Sequence, residues 1–252
     1  MSSSKQSAGF VYVASDPNKS PAPNKFNSEK KILNHEFEHS FLTVKKHHPD
    51  IPVTLFTNYD DLLANKIGVD NVVEIESDWG FIPKVFGLNM SPYPRTIFLD
   101  CDTQVNACLD DLFQQLDHYD LAICQEFVNK NILNTGVFAI NTSGPFLDLW
   151  LKRMLERKNC AINQITEGKR VSNKIPDDQA ELNEIIRGLT RPQINKHIKL
   201  IQETLCDFKY TILDSRIYNC RVQELQECKS GNFDLGLIKI FHFRNLWRKD
   251  AI

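Results

Sequence analysis

Two spacings of apolar residues alternate along the chain. Gly9-Phe-Val-Tyr-Val-Ala14 is β-branched and aromatic, which predicts a buried strand. Similar short runs predict strands at Pro52–Thr57, Val72–Ile75, Arg95–Leu99, Leu121–Cys124 and Val137–Ile140, and a last one at Leu237–Phe241 that ends in His242. Between them the spacing turns helical. Leu33, Phe37, Phe41 and Val44 fall on one helix face, with Asn27 or Ser28 available as a cap. Further helices are predicted at Leu109–Leu116, Pro145–Leu155 and Asp177–Arg187, and polar loops at Asp16–Ser28 and Thr166–Lys174. Strands without a polar face, alternating with helices, predict an α/β fold: a Rossmann-like, mostly parallel sheet covered by helices on both faces. With no internal repeat and no linker, residues 1–252 read as a single domain.

Composition narrows the partners. Lys plus Arg number 30 against 32 Asp plus Glu, a formal net charge of −2, so nucleic acid is not an expected partner. The 7 cysteines are scattered and form no C-x-x-C unit, which excludes a disulfide framework or zinc ribbon and fits a reducing compartment. The apolar run Phe10–Ala14 is too short for a signal-peptide core or a transmembrane segment, so a cytoplasmic location is expected. Asn18-Lys-Ser and Asn141-Thr-Ser match the glycosylation pattern, which has no consequence without a secretory route.

Candidate chemistry starts at Asp100-Cys101-Asp102, directly after the apolar run Ile97-Phe-Leu99. In sheets of this kind, ligands sit outside the carboxyl ends of the strands. Two carboxylates one residue apart on extended backbone point the same way and repel unless a cation lies between them. Hard oxygen ligands favour Mg²⁺ or Mn²⁺. The plain alternative is an aspartate-rich turn closing a strand.

Other segments add to the pair. Pro94-Arg-Thr-Ile-Phe-Leu-Asp100-Cys-Asp102-Thr-Gln-Val105 resembles the D-x-D segment of nucleotide-diphospho-sugar transferases of the GT-A fold, glycosyltransferase family eight most of all. Asn134-Thr135-Gly136-Val-Phe-Ala-Ile-Asn141 is similar to that family's N-T-G strand, and Asp178-Gln179 to its D-Q pair at a helix start. Tyr218-Asn219-Cys-Arg221 resembles a late asparagine segment, and Ile240-Phe-His242-Phe the terminal strand whose histidine completes a metal site. The matches keep the family's order from Pro94 to Lys249.

The resemblance implies a metal-dependent transfer of a hexose-type sugar from a nucleotide-diphosphate donor, UDP-linked, to a hydroxyl acceptor, with retention at the anomeric carbon. It implies Mn²⁺, or Mg²⁺, on Asp100, Asp102 and His242, and catalytic roles for Asp178 and Gln179. Donor contacts are implied for Ala14, Asp16, Asn18, Lys84, Cys101, Asn134, Thr135, Gly136, Arg248 and Lys249. For Asp16 the alternative is a residue that starts a turn, for Lys84 an exposed helix lysine, and for Asp178 a helix cap. The family places Gly three residues after the histidine and Lys six after it; Asn245 and Arg248 stand there, and Asn245 puts close backbone approach to the diphosphate in doubt. Acceptor recognition is expected in Phe127–Leu133 and Cys160–Lys174. Two other readings remain: a catalytically inactive nucleotide-sugar binding protein, and a sugar-1-phosphate nucleotidyltransferase. Against the latter, Ser15-Asp-Pro-Asn-Lys stands where a glycine-rich loop would follow the first strand.

His35-Glu36-Phe37-Glu38-His39 is a literal H-E-x-x-H, the zinc-protease signature. The apolar stripe Leu33, Phe37, Phe41 and Val44 puts both histidines on the opposite, solvated side, and the extended G-x-x-H continuation is missing. A zinc site is therefore not expected.

Overall fold

The computed structural model describes residues 7–22, 34–65, 68–76, 78–127, 129–169, 176–191, 196–231 and 233–243. Strand β1 (Ala8–Ala14) leads through a single turn at Pro17–Lys19 towards helix α1 (Asn34–His47). Strand β2 (Val53–Thr57), helix α2 (Asp60–Asn65), strand β3 (Asn71–Glu74) and helix α3 (Ile82–Asn89) precede β4 (Arg95–Leu99). Then come β5 (Thr103–Val105), α4 (Asp110–Gln115), β6 (Leu121–Gln125), β7 (Leu133–Asn141) and α5 (Phe146–Thr166). The remainder is α6 (Asp178–Thr190), α7 (Lys196–Thr204), β8 (Tyr210–Leu213), α8 (Ser215–Tyr218), α9 (Val222–Ser230) and β9 (Ile240–His242).

The main sheet has 7 strands in the order β3-β2-β1-β4-β7-β6-β8. All its pairings are parallel except those of β7, which runs antiparallel to β4 on one side and β6 on the other. The mixed, mostly parallel sheet is as expected, and helices cover both faces. Successive strand residues feed opposite faces. Val11, Val13, Phe98 and Phe138 pack with Val85, Leu88, Trp150 and Ile185 of α3, α5 and α6. Phe10, Tyr12, Ile97, Leu99 and Ala139 pack with Phe37, Phe41, Val44 and Leu112 of α1 and α4. Burial on both sides explains why these strands carry no polar period.

Several predicted bounds shift. Helix α5 runs on to Thr166, well past Leu155, because Ala161 stays buried and Ile165 packs on the same core. The end of that helix therefore takes up the start of the segment read as an acceptor loop. The final strand begins at Ile240; Leu235–Leu237 form a 3-10 turn, with Leu237 half exposed. Leu33, Asn27 and Ser28 lie outside the described residues.

One consequence of the antiparallel β7 decides where chemistry can occur. Strands β6 and β7 are joined by a short return, closed where the Glu126 N–H donates to the Ile132 carbonyl at 2.6 Å. The start of β7 therefore lies at the same sheet edge as the ends of β1, β4 and β6. There the Asp100 N–H donates to the Gly136 carbonyl at 2.8 Å. A small second sheet, β5 with β9, sits over this edge and pairs Thr103 with His242.

Candidate active site

A cleft of about 350 Å³ opens at this edge, and its lining includes Val13, Ser15, Glu36, Lys84, Asp100, Asp102, Glu126, Asn134, Asp178, Gln179, Arg221 and His242. Asp100 and Asp102 do converge, though by a different route from the extended geometry expected. Residues 101–102 form a turn. The Thr103 hydroxyl closes it on the Asp100 carbonyl at 2.8 Å, and the Cys101 thiol turns inward to the Val13 carbonyl at 3.8 Å. Strand β9 then brings in His242, whose Nε2 lies 3.1 Å from Asp102 Oδ1 and 3.7 Å from Asp100 Oδ2. One ligand atom from each of the three lies within 4.8 Å of the others.

Whether this triad suits a divalent cation depends on the histidine tautomer. His242 Nδ1 is 2.7 Å from Asn219 Oδ1, an atom that can only accept. The ring therefore keeps its Nδ1 proton and presents Nε2 to the carboxylates, the orientation of a metal-ligating histidine held by an outer partner. Burial pulls His242 down, but Asp102 and Asp100 overcome it and hold its pKa above the ordinary value. Burial pushes Asp100 up, against Lys84 and His242, while Asp102 and Asp178 add to the rise. A cluster with more carboxylate than cation, and an aimed imidazole, fits a hard divalent ion.

Space at this centre is tight. A Cβ at Gly136 would overlap the His242 ring and lie 3.0 Å from Asn134 Oδ1. Glycine stands here for room, so the third residue of the N-T-G segment is explained by its neighbour.

Lys84 joins the Asp100, Asp102 and His242 cluster to the rest of the cleft. From the first turn of α3 its ammonium reaches Asp100 Oδ1 at 3.2 Å, Asp178 Oδ2 at 3.0 Å and the Thr135 carbonyl at 2.7 Å. Burial alone would lower its pKa; the two carboxylates reverse that and keep it charged. The side chain is buried, so the exposed-lysine alternative does not apply. At the start of α6 the capping role belongs to Asp177, whose carboxylate accepts the Ala180 N–H at 2.8 Å. Asp178 is left to face the cleft, where it accepts the Thr135 hydroxyl at 2.7 Å.

A polar network continues from there. Gln179 Oε1 accepts Asn134 Nδ2 and the Thr135 N–H, each at 3.3 Å, and Gln179 Nε2 donates to Glu126 at 3.2 Å. Asn134 also donates to Glu126 at 2.7 Å and accepts from Asn219 at 2.8 Å. Arg221 pairs with Glu126 at 2.6 Å. Burial opposes the charge on Glu126, but the bonds from Arg221, Asn134 and Gln179 hold its pKa below the usual carboxylate range. Glu126 is a site residue that the sequence did not single out; its one signal was a position just beyond a predicted strand end.

The remaining candidates divide. Ala14 ends β1 with its side chain in the far-side core. The Asp16 carboxylate is taken by the backbone and side chain of Asn18, at 2.9 and 3.0 Å, which is the turn-starting alternative; neither residue lines the cleft. Asn245, Arg248 and Lys249 lie outside the described residues. In the H-E-x-x-H segment His35 is exposed and His39 Nε2 is 3.1 Å from Gln104 Oε1; the metal-compatible clusters among the described residues include neither.

A second such cluster, His48, Cys108 and Asp110, fails on proton bookkeeping. The Leu109 N–H donates to His48 Nε2 at 2.9 Å, so the neutral ring carries its proton on Nδ1, the atom facing Asp110. No lone pair is left there for a cation.

No protein-family model matches the chain, and no curated protein matches it in sequence. Solved structures do. The glycosyltransferase GlyE of Streptococcus pneumoniae TIGR4 superposes with a TM-score of 0.59 at 14% identity, covering 97% of this chain and 57% of GlyE. The apo form of the same protein gives a TM-score of 0.52 at 14% identity, covering 98% and 57%. An active-site mutant of LgtC gives 0.52 at 14% identity, covering 96% of this chain and 90% of LgtC. The chain has the GT-A glycosyltransferase fold. It spans a little over half the length of GlyE. In GT-A terms, the cleft lies where an open α/β sheet binds ligands, outside the strand ends. Its polar residues come from β7, β9, α1, α3, α6 and the segments that flank the strands and helices. No helix among the described residues is long and apolar enough to cross a membrane, and all seven cysteines are free thiols.

Proposed function

We propose that the protein is a metal-dependent glycosyltransferase, acting as one domain, that moves a hexose-type sugar from a UDP-sugar to a hydroxyl acceptor with retention. The observation that carries this reading is that Asp100, Asp102 and His242 form a cation-compatible triad in the same cleft as Asp178 and Gln179. Free thiols throughout support a reducing, cytoplasmic setting.

Cleavage of the sugar–phosphate bond leaves new negative charge on the nucleoside diphosphate. Mn²⁺, or Mg²⁺, held by Asp100, Asp102 and His242 would supply Lewis-acid stabilisation of those oxygens. Lys84 holds Asp100 and Asp178 in a fixed relation, so the metal ligands and the sugar wall keep one geometry. Asp178, Asn134 and Gln179 present oxygens and amide N–H groups suited to sugar hydroxyls, and Asp178 contributes a negative charge near the reacting carbon. Glu126 is kept ionised by Arg221 and fits the same wall. Arg248 and Lys249 remain proposed diphosphate contacts, with Ala14, Asp16, Asn18 and Cys101 on the nucleoside side; for Asp16 that contact requires release from Asn18.

The test is a donor screen: release of free nucleoside diphosphate from a panel of nucleotide sugars, with and without Mn²⁺. Turnover that needs the metal and prefers a UDP-sugar is expected. Absence of both turnover and nucleotide-sugar binding would remove the proposal.

A further inference from the structure

One carboxylate that lines the cleft has no role in the proposed chemistry. Glu36 is only 3% exposed, yet it lines the cleft beside Val13, Ser15 and Cys101. The docking of α1 explains its position. One turn on, the Ser40 hydroxyl lies 2.8 Å from both the Tyr12 hydroxyl of β1 and the Thr103 hydroxyl of β5. A further turn on, Thr43 Oγ1 accepts the Val105 N–H at 3.0 Å. Positions 36, 40 and 43 share a helix face, so α1 runs along β5 and delivers Glu36 at the level of Cys101-Asp102. Electrostatics agree: burial pushes the Cys101 thiol well up, and the charges of Asp100, Asp102 and Glu36 add to it.

A nucleoside diphosphate anchored at Asp100, Asp102 and His242 has its sugar on one side and its ribose on the other. The β7 and α6 side is crowded with amides and carboxylates that suit the transferred sugar. On the β1 side the lining is Val13, Ser15, Cys101 and Glu36, with Glu36 as its carboxylate. A buried carboxylate accepts two hydroxyl donors strongly, as in the acidic residue that holds the ribose in dinucleotide-binding folds.

We propose that Glu36 receives the ribose hydroxyls of the bound nucleoside diphosphate and selects ribonucleotides over 2′-deoxyribonucleotides. The inference rests on the nucleotide-sugar reading above. It also gives a use to the glutamate of the H-E-x-x-H segment, whose histidines lie elsewhere.

The experiment is calorimetric titration of the full chain with UDP and 2′-deoxy-UDP in Mn²⁺, for wild type, Glu36→Gln and Glu36→Asp. Wild type is expected to prefer UDP by about tenfold, which is 1.4 kcal/mol. Glu36→Gln should weaken UDP and leave 2′-deoxy-UDP unchanged, cutting the preference to below about threefold. Glu36→Asp keeps the charge on a shorter arm and should fall between them. A merely structural Glu36 would weaken both nucleotides alike and preserve their ratio, which overturns the proposal. Equal binding of both by wild type overturns it too. UDP binding with an unchanged ratio removes only the Glu36 assignment, whereas no nucleotide binding at all removes the glycosyltransferase reading with it.

Discussion

The two walls of the cleft are built on different principles. On the β7 and α6 side, Asn134, Thr135, Asp178, Gln179, Glu126 and Arg221 bond to one another, and Lys84 and Asn219 tie them to the Asp100, Asp102 and His242 cluster. On the β1 and α1 side, the lining is Val13, Ser15, Cys101 and Glu36, and α1 is set there by docking through Ser40 and Thr43. The first wall is preorganised by its own hydrogen bonds, so a change at one residue should reach several others. The second is positioned by packing at a distance, so its residues should act more nearly alone.

The strongest test of this difference is Lys84→Met. The ammonium neutralises Asp178 and caps the Thr135 carbonyl inside the first wall, and it neutralises Asp100 at the wall's junction with the triad. Removing one partner of a buried ionic cluster leaves uncompensated charge and costs about 3–5 kcal/mol. Chemical denaturation should show that loss together with lost turnover. Stability within about 1 kcal/mol of wild type would mean that the wall is not one network.

Asp102→Asn separates charge from structure. Asp102 sits in a turn at the cleft rather than in the core, so stability should change by no more than about 1 kcal/mol. Turnover should fall on the order of 10²–10³-fold or more, as expected when stabilisation of developing charge is removed. Full activity in this variant would remove the metal argument.

Asn219→Ala tests how the first wall supports the proposed metal site. Asn219 touches neither Asp100 nor Asp102; it fixes the His242 tautomer through Nδ1 and bonds Asn134 on its other side. Loss of such an outer partner lowers metal affinity by about 10–100-fold. Mn²⁺ titration followed by electron paramagnetic resonance should record that weakening. A variant that binds Mn²⁺ as wild type does would make Asn219 a packing residue only.

Much of this was legible in the sequence, for identifiable reasons. Strands buried on both faces have to be continuous apolar runs, so β1, β2, β4 and β6 were visible, and their ends located Asp100. The order of the short motifs carried Asn134, Asp178 and His242 into one site. What escaped lacked a pattern of its own. Strand β5 is three residues, Thr103–Val105, too short to show alternation. Strand β8 is a half-exposed edge and α2 has only six residues. Helix α7 did leave a signal, since Ile198, Ile201 and Leu205 are spaced helically, but polar flanks concealed it. Glu126 looked like any polar residue beyond a strand, because its partners Asn134, Gln179 and Arg221 meet it only in the folded chain. The D-x-D geometry was inferred for the wrong backbone, and the turn at Cys101 still brings the carboxylates together.

The smallest expected effect lies beside the second wall, in the H-E-x-x-H segment. His35→Ala should leave turnover within about twofold and stability within about 0.5 kcal/mol, as for a surface change away from special features. At about 100° per residue, turning Glu36 and Phe37 inward leaves His35 exposed, while His39, one turn on, meets Gln104. A zinc site would need both imidazoles to converge on one ion with a further ligand, and neither histidine belongs to a metal-compatible cluster among the described residues. Metal analysis of purified protein after Mn²⁺ removal should therefore find no stoichiometric zinc. Retained zinc that disappears in His35→Ala would show that α1 carries a metal centre of its own.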